Sequence, residues 1–223
     1  MPRRHAVRFA FACAIASLTA LSASPALADP GAGNSSLWKL GYYTPSNQTL
    51  SFATVPQGAP ALATFEFTAA NNTALLVTDH GSLKGTDLGN LTNKTITATF
   101  HISGAGAFTY YGEPDACGTP ANVRLFFQTD NGGGFAYTHY WWSNPEAKVL
   151  SDGTFDLKAK VSGSQWSDWN GQSGITEGAG FADAAANVTM IGFSFGGGCF
   201  FENGVGSSNG TGTFQLNTFT VAS

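Results

Sequence analysis

Apolar and polar residues alternate with a period of two in short segments along this chain, and turn clusters separate those segments. Sustained helical periodicity is absent. The clearest segment is Lys94–Ser103. It places Ile96, Ala98, Phe100 and Ile102 on one face and Thr95, Thr97, Thr99 and His101 on the other. Ala61–Thr68 sets Ala63, Phe65 and Phe67 against Leu62, Thr64, Glu66 and Thr68. Asn122–Thr129 sets Val123, Leu125 and Phe127 against Arg124, Phe126 and Gln128. Thr154–Val161 sets Phe155, Leu157, Ala159 and Val161 against Asp156, Lys158 and Lys160. Further strands are expected at Thr49–Thr54, in the apolar run Ala74–Asp79, in the aromatic stretch Phe135–Ser143, and at Asn187–Gly196 and Thr211–Val221. In Asn187–Gly196 the apolar register changes after Met190, which predicts a β-bulge.

Gly, Asn and Asp cluster at 104–106, 130–134, 151–153 and 196–198, where tight reversals are expected. One short helix is expected at Gly178–Ala186, where Phe181 and Ala185 are four apart. About nine strands, one helix and no internal repeat predict an all-β fold. The expected architecture is a two-sheet antiparallel β-sandwich of the jelly-roll kind.

The first 28 residues read as an export signal and stand outside this fold. Arg3, Arg4 and Arg8 precede an apolar run from Phe9 to about Leu21, and Ala26-Leu27-Ala28 has the small-x-small pattern of a cleavage site. That run is short for a membrane span. A secreted chain of one domain, residues 29–223, is therefore expected, with no membrane insertion once the signal is gone. Of the 10 Lys and Arg, three leave with the signal, so seven basic residues face 14 Asp and Glu. Such a balance argues against a nucleic-acid partner and an anionic membrane surface. Neutral ligands fit it better.

Two cysteines remain, Cys117 and Cys199. In an exported protein an even pair reads as one disulfide, closing a loop of about 80 residues that contributes roughly 4 kcal/mol. Two free buried thiols are the other reading. No His-Cys cluster is close in sequence, which argues against a zinc site.

Catalytic motifs are sparse. His80, His101 and His139 lack metal-ligand spacing, and no Gly-x-Ser-x-Gly elbow is present. The glycine runs lack the lysine and helix of a phosphate loop. Glu66, Glu146, Asp156 and Glu202 lie in or beside strands, and a facing pair of them would be the acid and base of a glycoside hydrolase.

Aromatic residues carry more information. Tyr137, Tyr140, Trp141 and Trp142 share one strand, Trp166 and Trp169 follow, and Tyr110 and Tyr111 sit in a loop. Adjacent Trp141 and Trp142 must point to opposite faces of a sheet. An exposed ring stacks on the C–H face of a sugar, while polar side chains meet its hydroxyl rim. Tyr110, Tyr111, Arg124, Gln128, Tyr140, Trp142, Trp166 and Trp169 are the candidate ligand-binding residues. Their bland reading is core and edge packing for the rings and a solvated face for Arg124 and Gln128.

The order of Tyr140-Trp141-Trp142-Ser143-Asn144-Pro145, Trp166-Ser167-Asp168-Trp169-Asn170-Gly171, Ile191–Gly206 and the closing strand Gly212–Val221 resembles a known family. It is similar to the galactose-binding-like jelly roll of carbohydrate-binding modules of secreted bacterial proteins, over residues 75–221. The resemblance implies a sandwich that binds a polysaccharide or other glycan through a concave face or edge loops. It implies no cofactor beyond the structural calcium ion such modules often hold. Three functions follow as expectations: a non-catalytic carbohydrate-binding protein, a glycan-active hydrolase or lyase on the same scaffold, and a surface or matrix protein.

Overall fold

The computed structural model describes residues 37–44, 47–55, 61–79, 88–104, 108–110, 120–130, 132, 134–198, 201–208 and 212–223. The expected export signal, Tyr111, Cys117 and Cys199 lie outside the described residues. In chain order the strands are β1 (Lys39–Thr44), β2 (Asn47–Thr54), β3 (Ala63–Phe67), β4 (Asn72–Thr78), β5 (Thr95–Ser103), β6 (Phe108–Tyr110) and β7 (Asn122–Thr129). They continue with β8 (Tyr140–Val149), β9 (Gly153–Lys160), β10 (Trp166–Asp168), β11 (Val188–Gly196), β12 (Val205–Ser207) and β13 (Gly212–Ala222). The helix α1 (Gly178–Ala186) lies between β10 and β11.

Two antiparallel sheets form. The larger follows the order β10-β8-β7-β11-β4-β1-β2, with β12 pairing to both β4 and β6. The smaller follows β3-β13-β5-β9. The fold is the expected all-β, two-sheet sandwich with one helix.

Alternation decides which side of each strand enters the core. In β5, Ile96, Ala98, Phe100 and Ile102 are buried, while the threonines between them are half-buried on the other face. Phe65 and Phe67 of β3 and Phe214 of β13 join Phe100 from the smaller sheet, and Phe193 and Phe195 of β11 meet them from the larger. Phe100 stacks on Phe214 at 4.9 Å, and Phe193 lies edge-on to Phe100 at 5.8 Å. Burying such rings is the main driving force for closing the two sheets.

The helix seals one end of this core. Phe181, Ala184 and Ala185 face inward, and Phe181 lies edge-on to Trp141 at 4.9 Å. Its other face leaves Ala182 and Asp183 exposed. The expected bulge near Met190 is present as a register shift between Val188 and Met190 in the pairing of β11 with β7.

The aromatic strand differs from its expected span. Tyr137–His139 forms a 3-10 turn, and β8 then runs from Tyr140 to Val149. Its pairing with β7 shifts register between Arg124 and Phe126. Pro145, which has no N–H to donate, lies on β8 within that irregular stretch. β1, β6, β10 and β12 lie outside the expected strands. Three of these have three residues each, too few to show alternation, and β1 is interrupted by Gly41.

Candidate functional site

The outer face of the larger sheet, turned away from the smaller one, carries a second apolar cluster. Leu75 and Val77 of β4, Phe126 of β7 and Trp142 of β8 are buried there, with Tyr43, Leu50, Tyr140, Met190 and Phe201 packed against them. In an ordinary two-layer sandwich this face would be polar. The adjacent residues Trp141 and Trp142 split across the sheet as alternation requires. Trp141 enters the inter-sheet core and Trp142 the outer cluster.

An aromatic patch grows outward from Trp142. Trp169 lies 5.7 Å from Trp142 and 5.6 Å from Tyr140. Phe135 stacks on Tyr140 at 5.6 Å and meets Trp169 edge-on at 5.5 Å. Tyr137 lies edge-on to Phe135 at 5.4 Å. Phe135, Tyr137 and Trp169 are exposed by 60%, 51% and 45%, so three contiguous rings face solvent.

Local hydrogen bonds hold these rings in place. Asp168 is buried, and its Oδ1 accepts from the backbone N–H groups of Asn170 (2.9 Å) and Gln172 (2.8 Å). The Asp168 N–H donates to the Gln172 carbonyl and the Gly171 N–H to the Asp168 carbonyl, closing the loop that presents Trp169. Trp141 Nε1 donates to the Thr138 carbonyl at 2.7 Å, which fixes the 3-10 turn bearing Tyr137. Helix α1 buttresses the same turn: a Cβ on Gly180 would lie 2.6 Å from the Thr138 side chain, so only glycine lets the helix approach this closely.

The segment Phe201-Glu202 folds over the middle of the face. Ser194 Oγ donates to the Phe201 carbonyl at 2.6 Å, and Asn203 exchanges two hydrogen bonds with the Gly197 backbone. The Phe201 ring lies 5.6 Å from Trp142, and Arg124 Cζ stands 4.6 Å from the Phe201 centroid. Such a cation–π contact suits a guanidinium that has lost much of its water. Gly192 lets β11 pair closely with β4, since a Cβ there would lie 2.1 Å from the Leu76 carbonyl oxygen.

Electrostatically the face is unusual. Burial pushes the Glu202 carboxyl up to about 8, into the range where it holds its proton at neutral pH. Tyr43 is pushed up to about 12 by burial and then by the Glu202 charge. Burial raises Tyr140 as well, followed by the charges of Glu202 and Asp130. Burial lowers Arg124. Arg124 Nη1 donates to the Ser143 carbonyl at 2.9 Å. Arg124 Nε, Trp142 Nε1 and Glu202 Oε2 are buried and meet no hydrogen-bond partner among the described residues.

The structure brings together Arg124, Gln128, Tyr140, Trp142 and Trp169 on this face. Gln128 lies opposite Tyr140 on one side and Met190 on the other. It does not bring in Trp166, which is 1% exposed, packs on Phe127 in the core and donates its Nε1 to the Lys160 carbonyl. An indole buried on all sides offers no ring to a ligand. Tyr110 lies on β6 beside β12, with its ring packed on Gly197, and is buried. Glu66 is exposed on β3 of the smaller sheet, and Asp156, on β9, accepts a hydrogen bond from Thr99 Oγ1. The Glu146 side chain lies outside the described residues. Among the described residues no group of three or more His, Cys, Asp or Glu gathers to hold a metal ion.

Phe135, Phe201 and Tyr43 belong to the face without having stood among the candidate ligand-binding residues. Phe135 stood at the head of the expected aromatic strand, which was a signal. Nothing in the sequence told that Phe201 and Glu202 would fold onto β11. No family model, curated protein or solved structure matches the chain.

Proposed function

We propose that this chain is a secreted, non-catalytic carbohydrate-binding protein, a galactose-binding-like jelly-roll module that binds glycan on the outer face of its larger sheet. The observation that carries the reading is the contiguous patch of Phe135, Tyr137 and Trp169, exposed beside Tyr140. Exposing three large rings together costs hydration free energy, and a patch of this kind marks a binding surface. Sugar C–H faces suit the rings, while the Tyr137 and Tyr140 hydroxyls and the Gln128 amide suit the hydroxyl rim. The sparse charge of the chain fits a ligand that is mostly neutral. Affinity electrophoresis of the secreted chain in gels containing different polysaccharides tests this. Retardation by at least one glycan, abolished by Trp169→Ala, is expected. Retardation by none of a broad panel would remove the reading.

Glu202 supports a second reading, a glycan hydrolase. A carboxyl that keeps its proton near pH 7 is what a general acid needs. Tyr140 feels the charges of both Glu202 and Asp130. Release of reducing ends from a bound polysaccharide, lost in Glu202→Gln, would favour the hydrolase over the binding module.

A further inference from the structure

We infer that the aromatic patch takes a single soluble glycan chain or chain end, and not the flat face of a crystalline polysaccharide; the inference rests on the carbohydrate-binding reading above. Its basis is the orientation of the exposed rings. Phe135 and Tyr140 are near parallel, with 28° between their planes. Trp169 stands at 88° to Phe135 and 64° to Tyr140. Tyr137 stands at 84° to Phe135. A crystalline polysaccharide offers its C–H faces in one plane, and only rings sharing a plane can all stack on it. A surface laid flat on Phe135 meets Trp169 and Tyr137 edge-on, and a surface laid flat on Trp169 meets Phe135 edge-on. The three rings therefore form a corner.

Spacing points the same way. Phe135 lies 5.5 Å from Trp169 and 5.4 Å from Tyr137, so these rings touch one another. Touching rings serve one sugar-sized site, whereas successive units along a crystal surface need rings set apart. A corner places the C–H face of one pyranose on one ring and its edge against the next. The rim hydroxyls then stay free for Tyr137, Tyr140 and Gln128. In a crystal those hydroxyls are already bonded to neighbouring chains and are not available.

The test pairs soluble and crystalline forms of the same sugar polymer. The chain without its first 28 residues is titrated calorimetrically with cellohexaose, chitohexaose, xylohexaose and mannohexaose. In parallel it is mixed with crystalline cellulose, crystalline chitin and insoluble xylan and mannan, and depletion from solution is measured. We expect saturable binding of at least one oligosaccharide. That affinity should fall at least about tenfold, or 1.4 kcal/mol, in Trp169→Ala and in Tyr137→Ala. No Trp169-dependent depletion by the crystalline form is expected. Both substitutions remove exposed rings, and near-ultraviolet circular dichroism of the buried aromatic core checks that the variants fold. Trp169-dependent adsorption to a crystalline polymer, with its oligosaccharide unbound, would overturn the inference and leave carbohydrate binding standing. Absence of binding to both forms across the panel would overturn both.

Discussion

Single residues on the outer face divide by burial, and the division predicts different consequences for two neighbouring tryptophans. Trp169 is half exposed, so its loss should alter ligand binding and little else. Trp142 is 1% exposed between Phe126, Tyr140, Trp169 and Phe201. Trp142→Ala leaves a cavity there and should cost about 3–5 kcal/mol in urea-monitored unfolding. Glu202 makes a prediction about pH. Its folded pKa, about 8, lies above the ordinary value of 4.5, so the folded state binds the extra proton between those values. Stability from this group is fully present below about pH 4.5 and is lost as pH rises toward about 8. Glu202→Gln should flatten that fall, and thermal unfolding followed from pH 4 to 9 would show the variant gaining on the parent as pH rises. A parent and variant with parallel profiles would mean that Glu202 is not desolvated in solution.

Among the elements, the loop between β10 and α1 is the one on which presentation of the site depends. Asp168 was legible only as part of a Trp-rich segment, yet its buried carboxylate accepts two backbone N–H groups from the exposed turn 169–172. Asp168→Ala would remove both hydrogen bonds to the carboxylate, at a cost of about 1–3 kcal/mol. The same change should loosen Trp169 and weaken glycan binding even where the fold survives; tryptophan fluorescence and thermal unfolding together check this. Strands with unbroken alternation, such as β5 and β9, were legible because one face of each is core and the other meets solvent. The helix was legible from Phe181 and Ala185 at a spacing of four. β8 was not placed correctly at its start, because the Tyr137–His139 turn is held by the Trp141 indole and by Gly180, from a distant part of the chain, packing on Thr138.

For the whole molecule, the two sheets differ in how they are covered. The smaller has one apolar face, and its outer side is a threonine-rich surface built from residues such as Thr97, Thr99, Thr218 and Thr220. The larger is apolar on both faces over β4, β7 and β8. Protection should follow that layering. Amide hydrogen exchange is expected to be slowest in β5, β7, β11 and β13, which have partners on both sides, and fastest in β2 and β9 at the sheet edges. Equal protection across central and edge strands, measured by mass spectrometry, would contradict the strand order.

The amino-acid order alone determined the class of fold, the inward side of most long strands, the bulge at Met190 and the helix. These depend on periodicity, which is a local property of the chain. It also placed an aromatic concentration at 135–142 and 166–169. Tertiary structure alone decided which of those rings are available. Trp166 and Trp169 are three residues apart with similar neighbours, yet one turns into the core through β10 and the other rides outward on a turn held by Asp168. Likewise the burial of Glu202 arises from packing Phe201 and Glu202 against strands far away in sequence. Solvent exposure and desolvation are sums over neighbours in space, and no stretch of sequence carries that sum.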